Sequence, residues 1–326
     1  MAGIPGNRAY LLAGKQTEKG KAPSAFQDKY FFEGGNIAPT QGTDQLAETD
    51  DNRNAGDFYV TQTAVEGSPE VYVRDESIHH MLEYGLGSAS HEGETNFTHK
   101  ISSAATLPYI TFGKSQGGLL YEQYNDCKVD ELTISAGTAA PLVVAASIMG
   151  RSATRLKNVW SAENAEGVKA ALPTASTVAP FNYNQALVKI AGAETRLVSS
   201  FECTISNNTS LQQTDDSIPL DVVEGTFAVT LGFDLIFESL AEYNKFHYGG
   251  ESGVAQSNVL YTTNASFEFS SGANNSLLFT FPKLAYTEFP VEPDPGGGPV
   301  VVSVRAAAQR HAEGFVAATV KNQIEK

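Results

Sequence analysis

Thr226-Phe227-Ala228-Val229-Thr230-Leu231-Gly232-Phe233-Asp234-Leu235-Ile236-Phe237-Glu238 alternates apolar and polar side chains along almost its whole length. Phe227, Val229, Leu231, Phe233, Leu235 and Phe237 fall on one face of an extended strand, while Thr226, Ala228, Thr230, Gly232 and Asp234 fall on the other. A strand written this way has one side in a core and one in water. Phe201, Cys203 and Ile205 alternate in the same way against Glu202, Thr204 and Ser206, and so do Leu277, Phe279 and Phe281, and Val300, Val302 and Val304. The period is weaker but present earlier, at residues 30–32, 58–65, 132–134 and 142–148. The chain is therefore expected to be mainly β.

Short strings from the first half return in the same order in the second, and their separation shrinks at every step. Ala13-Gly14 with Thr17 returns as Ala191-Gly192 with Thr195, and Phe32-Glu33 as Phe201-Glu202. Thr49-Asp50-Asp51 returns as Thr214-Asp215-Asp216, Glu76-Ser77-Ile78 as Glu238-Ser239-Leu240, and Pro141-Leu142-Val143-Val144 as Pro299-Val300-Val301-Val302. Collinear order with steady drift is what duplication followed by loop trimming leaves. A repeat of roughly half the chain is too long for a solenoid or propeller blade, so each copy must bury its own core. The expected organisation is a first module at 1–158, a connection at 159–182 and a second module at 183–326.

Each copy is expected to carry one short helix laid on a β-sandwich or half-barrel. In the first, Ile78, Met81 and Leu82 share a helical face, with Asp75 as N-cap and Gly85 as stop. In the second, Leu240, Tyr243 and Phe246 do so, Ser239 and Glu242 read as a capping box, and Gly249-Gly250 ends the helix. Two acidic stretches, 41–57 and 207–225, occupy equivalent places and are longer than a hairpin needs. Residues 294–299 read as a turn.

Composition removes several functions. The net charge of -15 over 326 residues argues against wrapping nucleic acid, which requires clustered Lys and Arg. No apolar run is long enough to span a membrane, and the N-terminus lacks the order of a signal peptide, so a soluble protein made in a cytoplasm is expected. Cys127 and Cys203 fall in different copies and form no disulfide framework.

Catalytic patterns are equally thin, and no enzyme, cofactor or metal is expected. Ser, His and Asp are all present, but a catalytic triad cannot be assembled from composition. Gly14-Lys15 lacks the first Gly and the Ser or Thr of a phosphate loop and reads as a turn. His79 and His80 are adjacent on a helix and point ~100° apart, so they cannot chelate one ion together and read as a solvated face. Glu131, Glu202 and Glu268 read as isolated acids on a polar sheet face rather than a facing catalytic pair.

The sequence resembles the tail tube proteins of long, non-contractile bacteriophage tails. The resemblance rests on Leu11-Leu12-Ala13-Gly14-Lys15-Gln16-Thr17-Glu18-Lys19-Gly20-Lys21-Ala22, on Asp130-Glu131-Leu132-Thr133-Ile134-Ser135, and on the strand-helix-Gly units ending at Gly87 and Gly250. It implies two tandem tail-tube-like modules and a virion protein of the tail, assembled in the host bacterial cytoplasm. Subunits of this kind form rings that stack axially into a tube around a lumen through which double-stranded DNA passes without specific binding. Six modules per ring would come from a trimer with pseudo-sixfold symmetry; the alternative is a hexamer of whole chains. Tape measure, tail terminator and baseplate proteins are the other partners the resemblance implies. The matching long loops carry Glu48, Asp50, Asp51, Asp215 and Asp216 as candidates for contact between rings, and both loops are expected to order only on that contact. Glu33, Glu202, Thr204, Thr226, Thr230 and Asp234 are the candidates for lining the lumen, where acids would repel DNA and keep it mobile. An alternative is a carbohydrate-binding or decoration β-sandwich protein of a phage particle.

Overall fold

The computed structural model describes residues 6–47, 55–156, 172–272, 274–292 and 295–324. The first half contains strands β1 (Ala9–Lys15), β2 (Asp28–Tyr30), β3 (Ile37–Gln45), β4 (Phe58–Gly67) and β5 (Glu70–Tyr72), then helix α1 (Ile78–Leu86). It continues with β6 (Gly87–Glu92), β7 (Phe97–Ser103), β8 (Ile110–Gln116), β9 (Leu120–Ala136), β10 (Val143–Gly150) and β11 (Ser152–Arg155). The second half has β12 (Ala186–Ile190), β13 (Ala193–Thr195), β14 (Phe201–Ser206), β15 (Ser210–Gln212), β16 (Asp221–Val223) and β17 (Ala228–Ile236). Helix α2 (Ala241–Tyr248) follows, then β18 (Thr262–Gly272), β19 (Asn275–Glu288), β20 (Val301–Ala308) and β21 (Ala317–Asn322). The protein is mainly β, as its alternating sequence requires, and its fold is that of a β-sandwich.

All the named strand pairings are antiparallel. In the first half β4 takes β3 on one side and β10 on the other; β10 pairs with β9, β9 with β8 and β11, β8 with β1, and β1 with β2. In the second half β17 takes β14 and β20; β20 pairs with β19, β19 with β18 and β21, β18 with β12, and β12 with β13. Irregularities fall at matching points. Asp130 bulges out between the pairs Ser147–Glu131 and Ile148–Val129, and Thr287 does so between Arg305–Glu288 and Ala306–Tyr286. A second register shift lies between Ile110 and Phe112 in one half and between Thr263 and Ala265 in the other. Ile37, Gly67, Ile148 and Val129 stand opposite one another in succession, as do Cys203, Leu231, Ala306 and Tyr286. Ile37 thus takes the place in the first half that Cys203 takes in the second. This alignment departs from the Phe-Glu match in the sequence: Glu33 N–H donates to Glu70 O as Ser199 N–H donates to Asp234 O, so the counterpart of Glu33 is Ser199 and that of Glu202 is Asn36.

Long strands join the layers. The N-terminal stretch of β9 pairs with β8 and β11, while its C-terminal stretch pairs with β10 and, across the junction of the two halves, with β14. A second junction ladder joins β21 to β7, which also pairs with β6. One apolar core runs through both halves, so the two copies do not each bury a separate core as the repeat led one to expect. Phe201, Phe267, Phe269 and Phe279 interlock there, with ring centroids of Phe201 and Phe267 4.7 Å apart. Each buried Phe contributes about 2–3 kcal/mol by leaving water.

The helices differ from the sequence reading. α1 is buried on every side, including His79, His80 and Glu83, so the two histidines are not on a solvated face. Ile78, Met81, Leu82, Tyr84 and Leu86 surround its axis, the pattern of a helix enclosed by a core. Its N-cap is Ser77 rather than Asp75, and it ends two residues later than Gly85, at Gly87, whose left-handed φ of 101° suits glycine. α2 forms without a side-chain cap: Glu242 does not close a box with Ser239 but accepts hydrogen bonds from Lys245 and Tyr286. Gly14-Lys15 is part of β1, not a turn.

The second long loop is also ordered within the single chain, contrary to expectation. β15 and β16 form a hairpin held against the first half. Lys19 pairs with Asp221 at 2.9 Å and Lys128 with Glu224 at 2.7 Å, Tyr109 donates to Asp221, and Arg151 donates to the Pro219 carbonyl. The loop therefore needs no neighbouring ring to fold. In the first half the strands themselves run out to Gln45 and back from Phe58.

Candidate functional site

The junction ladder makes one continuous sheet in the order β3-β4-β10-β9-β14-β17-β20-β19. Its two faces differ sharply. Val71, Val144, Ile134, Cys203, Leu231, Ala306 and Tyr286 stand opposite one another across the chain, and all are buried. One residue along, the row reads Tyr72, Val143, Ser135, Glu202, Gly232, Arg305 and Glu288, and none of these is buried. The next row on the same face reads Glu70, Ala145, Thr133, Thr204, Thr230 and Ala307. Because strand side chains alternate with a period of two, one register makes one face core and the other wet.

Glu202, Thr204, Thr230 and Asp234 therefore share this open face. Asp234 accepts hydrogen bonds from Ser200 Oγ at 2.8 Å and Ser303 Oγ at 2.7 Å, so it also ties three segments together. Glu33 lies just before β3, beside Tyr72, whose phenol is held above its ordinary pKa by its hydrogen bond to the Glu33 carboxylate. Thr226 precedes β17 and is exposed. Glu66, Glu70 and Glu288, which are not among the sequence candidates, join the face, and Glu131 lies on it too rather than standing as an isolated acid. Arg305 offsets part of this charge, 4.0 Å from Glu202 and 3.5 Å from Glu288. The alternation Val301, Ser303, Arg305 was the available signal for β20.

The loop candidates separate. Asp215 and Asp216 are exposed at the turn between β15 and β16, where Asp216 Oδ1 accepts from the Ile218 N–H. Glu48, Asp50 and Asp51 lie outside the described residues. The described part of that hairpin exposes Leu46, Phe58, Tyr59 and Val60, with Phe58 71% accessible.

The thiols of Cys127 and Cys203 are both free and buried, and burial raises the pKa of each. Among the described residues no cluster of His, Cys, Asp and Glu has metal-binding geometry, and no helix is long and apolar enough to cross a membrane.

Among the described residues this β-sheet is sealed on one face and acidic on the other, with a strand edge at each end. The sequence model of the family described as phage tail tube protein matches residues 6–309. The chain belongs to that family and is a structural component of the bacteriophage tail tube. No curated protein matches the sequence.

Proposed function

We propose that the chain consists of two tandem tube modules and that three chains close into a ring with pseudo-sixfold symmetry. The observation that carries this is the shared ladder plan of the two halves, including bulges at Asp130 and Thr287. Closing the sheet by threefold repetition makes a barrel of about 24 strands. With strands ~4.8 Å apart and tilted ~40°, its backbone diameter is roughly 45–50 Å, which leaves a channel wide enough for a hydrated DNA duplex. The sheet of one chain closed on itself has an interior that side chains fill. Six whole chains would double the strand count and give a bore of roughly twice the width.

In this reading the polar face lines the lumen, and Glu33, Glu66, Glu70, Glu131, Glu202, Asp234 and Glu288 keep the duplex mobile by repulsion. Rings stack axially through the β3–β4 hairpin, whose exposed Phe58, Tyr59 and Val60 supply the apolar contact that a lone subunit leaves in water. The genome leaves the particle through the stacked rings. A reconstruction of assembled tubes tests the proposal. Three chains per ring with the acidic face inward are expected, and six whole chains, or a lumen formed by the other layer, would refute it.

A further inference from the structure

One seam between the two halves lies inside the chain, where it can be read pair by pair. β14 runs antiparallel to β9 from Phe201 opposite Ala136 to Ser206 opposite Glu131. Asn207 N–H donates to the carbonyl of the bulged Asp130 at 2.7 Å, and Ser206 Oγ donates to the Glu131 carboxylate at 3.0 Å. Among the described residues two edges lack this partner. β3 pairs with β4 on one side and with no named strand on the other. The segment after the Thr287 bulge corresponds to the part of β9 that receives β14, and β19 is last paired at Glu288.

We propose that β3 of one chain pairs antiparallel with residues 287–292 of a second copy, Ile37 opposite Val291 and Thr40 opposite Glu288. The proposal rests on the ring reading above and specifies its intermolecular seam. The matched ladders set the register: Ile37 occupies the position of Cys203, Thr40 that of Ser206, Glu288 that of Glu131 and Val291 that of Ile134.

Side-chain chemistry follows the same register. Thr40 against Glu288 repeats the hydroxyl-to-carboxylate contact of Ser206 with Glu131. Ile37 against Val291 and Pro39 against Phe289 repeat the apolar pairs Cys203–Ile134 and Ile205–Leu132. Val291 is 37% exposed in the lone chain. Asn36 O accepts from Ser68 N–H, so Asn36 turns its backbone to β4, and Ile37, Pro39 and Gln41 turn theirs to the open edge. Pro39 thus brings no donor to the seam, and the acceptor it would have met, Phe289 O, already receives His247 Nε2 at 3.3 Å. Proline at this edge also discourages unregulated strand stacking.

The open edge carries stand-in donors. Lys114 Nζ at 3.0 Å and Tyr124 Oη at 3.1 Å both donate to Ile37 O. The matching positions in the second half are Phe267 and Phe281, and there the edge is already covered by β9. A polar pair sits beneath the uncovered edge and an apolar pair beneath the covered one.

Cysteine pairing in assembled tubes tests the register. A residue pair of this type brings Cβ atoms within disulfide reach, so T40C/E288C should give covalent trimers on oxidation that return to monomers on reduction. E131C/S206C should close within each chain without a change of mass, and the off-register T40C/E292C should stay monomeric. Tubes in which E131C/S206C closes but T40C/E288C does not would overturn this seam and leave the ring reading standing. Failure of the unmodified protein to form any ring would remove both. Should T40C/E288C not assemble, hydrogen exchange on unmodified tubes decides: the amides of Gln41 and Val291 should gain protection on assembly, and unchanged exchange would overturn the proposal.

Discussion

His79 is 1% exposed on α1, stacked on His99 with ring centroids 4.1 Å apart and set against His80 and His91. Burial, reinforced by these neighbouring imidazoles, pushes its pKa down to about 2. An unfolded chain takes up the proton near pH 6.5, so His79 contributes stability that is present above that pH and lost as the pH falls toward 2. His80 works in the opposite sense. Burial disfavours its charge, but the Asp28 carboxylate at 2.7 Å outweighs burial and raises its pKa, so its contribution is present below pH ~6.5 and lost as the pH rises. Replacing His79 by Phe should therefore flatten the acid limb of a melting-temperature profile by up to about 1.4 kcal/mol per pH unit below 6.5. An unchanged acid limb would show that His79 does not carry it. The histidine cluster was hidden from the sequence because adjacent histidines read as surface; the apolar residues all round α1 were the signal that it is enclosed.

At the scale of elements, the β15–β16 hairpin is held by charge rather than by a core of its own. Burial opposes ionisation of Glu224, yet hydrogen bonds from Lys128 and the Leu107 N–H outweigh it and lower its pKa. Its contribution is present above pH ~4.5 and lost as the pH falls through the lower folded value. Glu224→Ala leaves Lys128, whose side chain is 5% exposed, without its carboxylate and should cost about 2–4 kcal/mol. Faster hydrogen exchange confined to 210–223 and its contacts is the expected signature, and unchanged exchange would mean that the hairpin is held elsewhere. The β3–β4 hairpin has the opposite character, with exposed apolar residues at its far end. Phe58→Ser with Val60→Ser should leave the subunit's melting temperature within about 0.5 kcal/mol equivalent but shorten tubes, as seen by microscopy. Tubes of normal length would remove this hairpin from the axial contact. The long alternating strands were legible because period two survives any context, whereas β15 and β16 are three residues each and too short to carry a period.

For the whole molecule, the decisive property is the asymmetry of one sheet. Its core face was readable residue by residue, since Phe227, Val229, Leu231, Phe233 and Leu235 all turn inward as the alternation requires. The extent of the polar face was not readable, because it depends on which strands lie side by side across the junction, and short matching strings misplaced Glu33 by three positions relative to Glu202. Asp234 is a poor probe of charge, since replacing it also removes the acceptor of Ser200 and Ser303. Glu66, Glu70 and Glu202 are better ones. Replacing all three by Lys should permit assembly while slowing DNA release from the particle, most strongly at low ionic strength, where attraction is least screened. Release at the normal rate in low salt, from particles verified to carry the substitutions, would mean that this face does not govern passage.

The ladder between β7 and β21 has a consequence for how the chain is made. His99 meets Asn322 across a separation of 223 residues, and Asn322 also donates to the Asp75 carbonyl beside α1. On a ribosome the first half emerges long before the strand that finishes it is translated. Its β6–β7 hairpin must wait with an unsatisfied edge, and pairing over such a distance is slow. A polypeptide released early lacks β21 and leaves two edges bare, that of β7 in the first half and that of β19 in the second. Synthesis through Asn322 thus becomes a condition for closing both ladders, and shorter products expose unpaired strand edges.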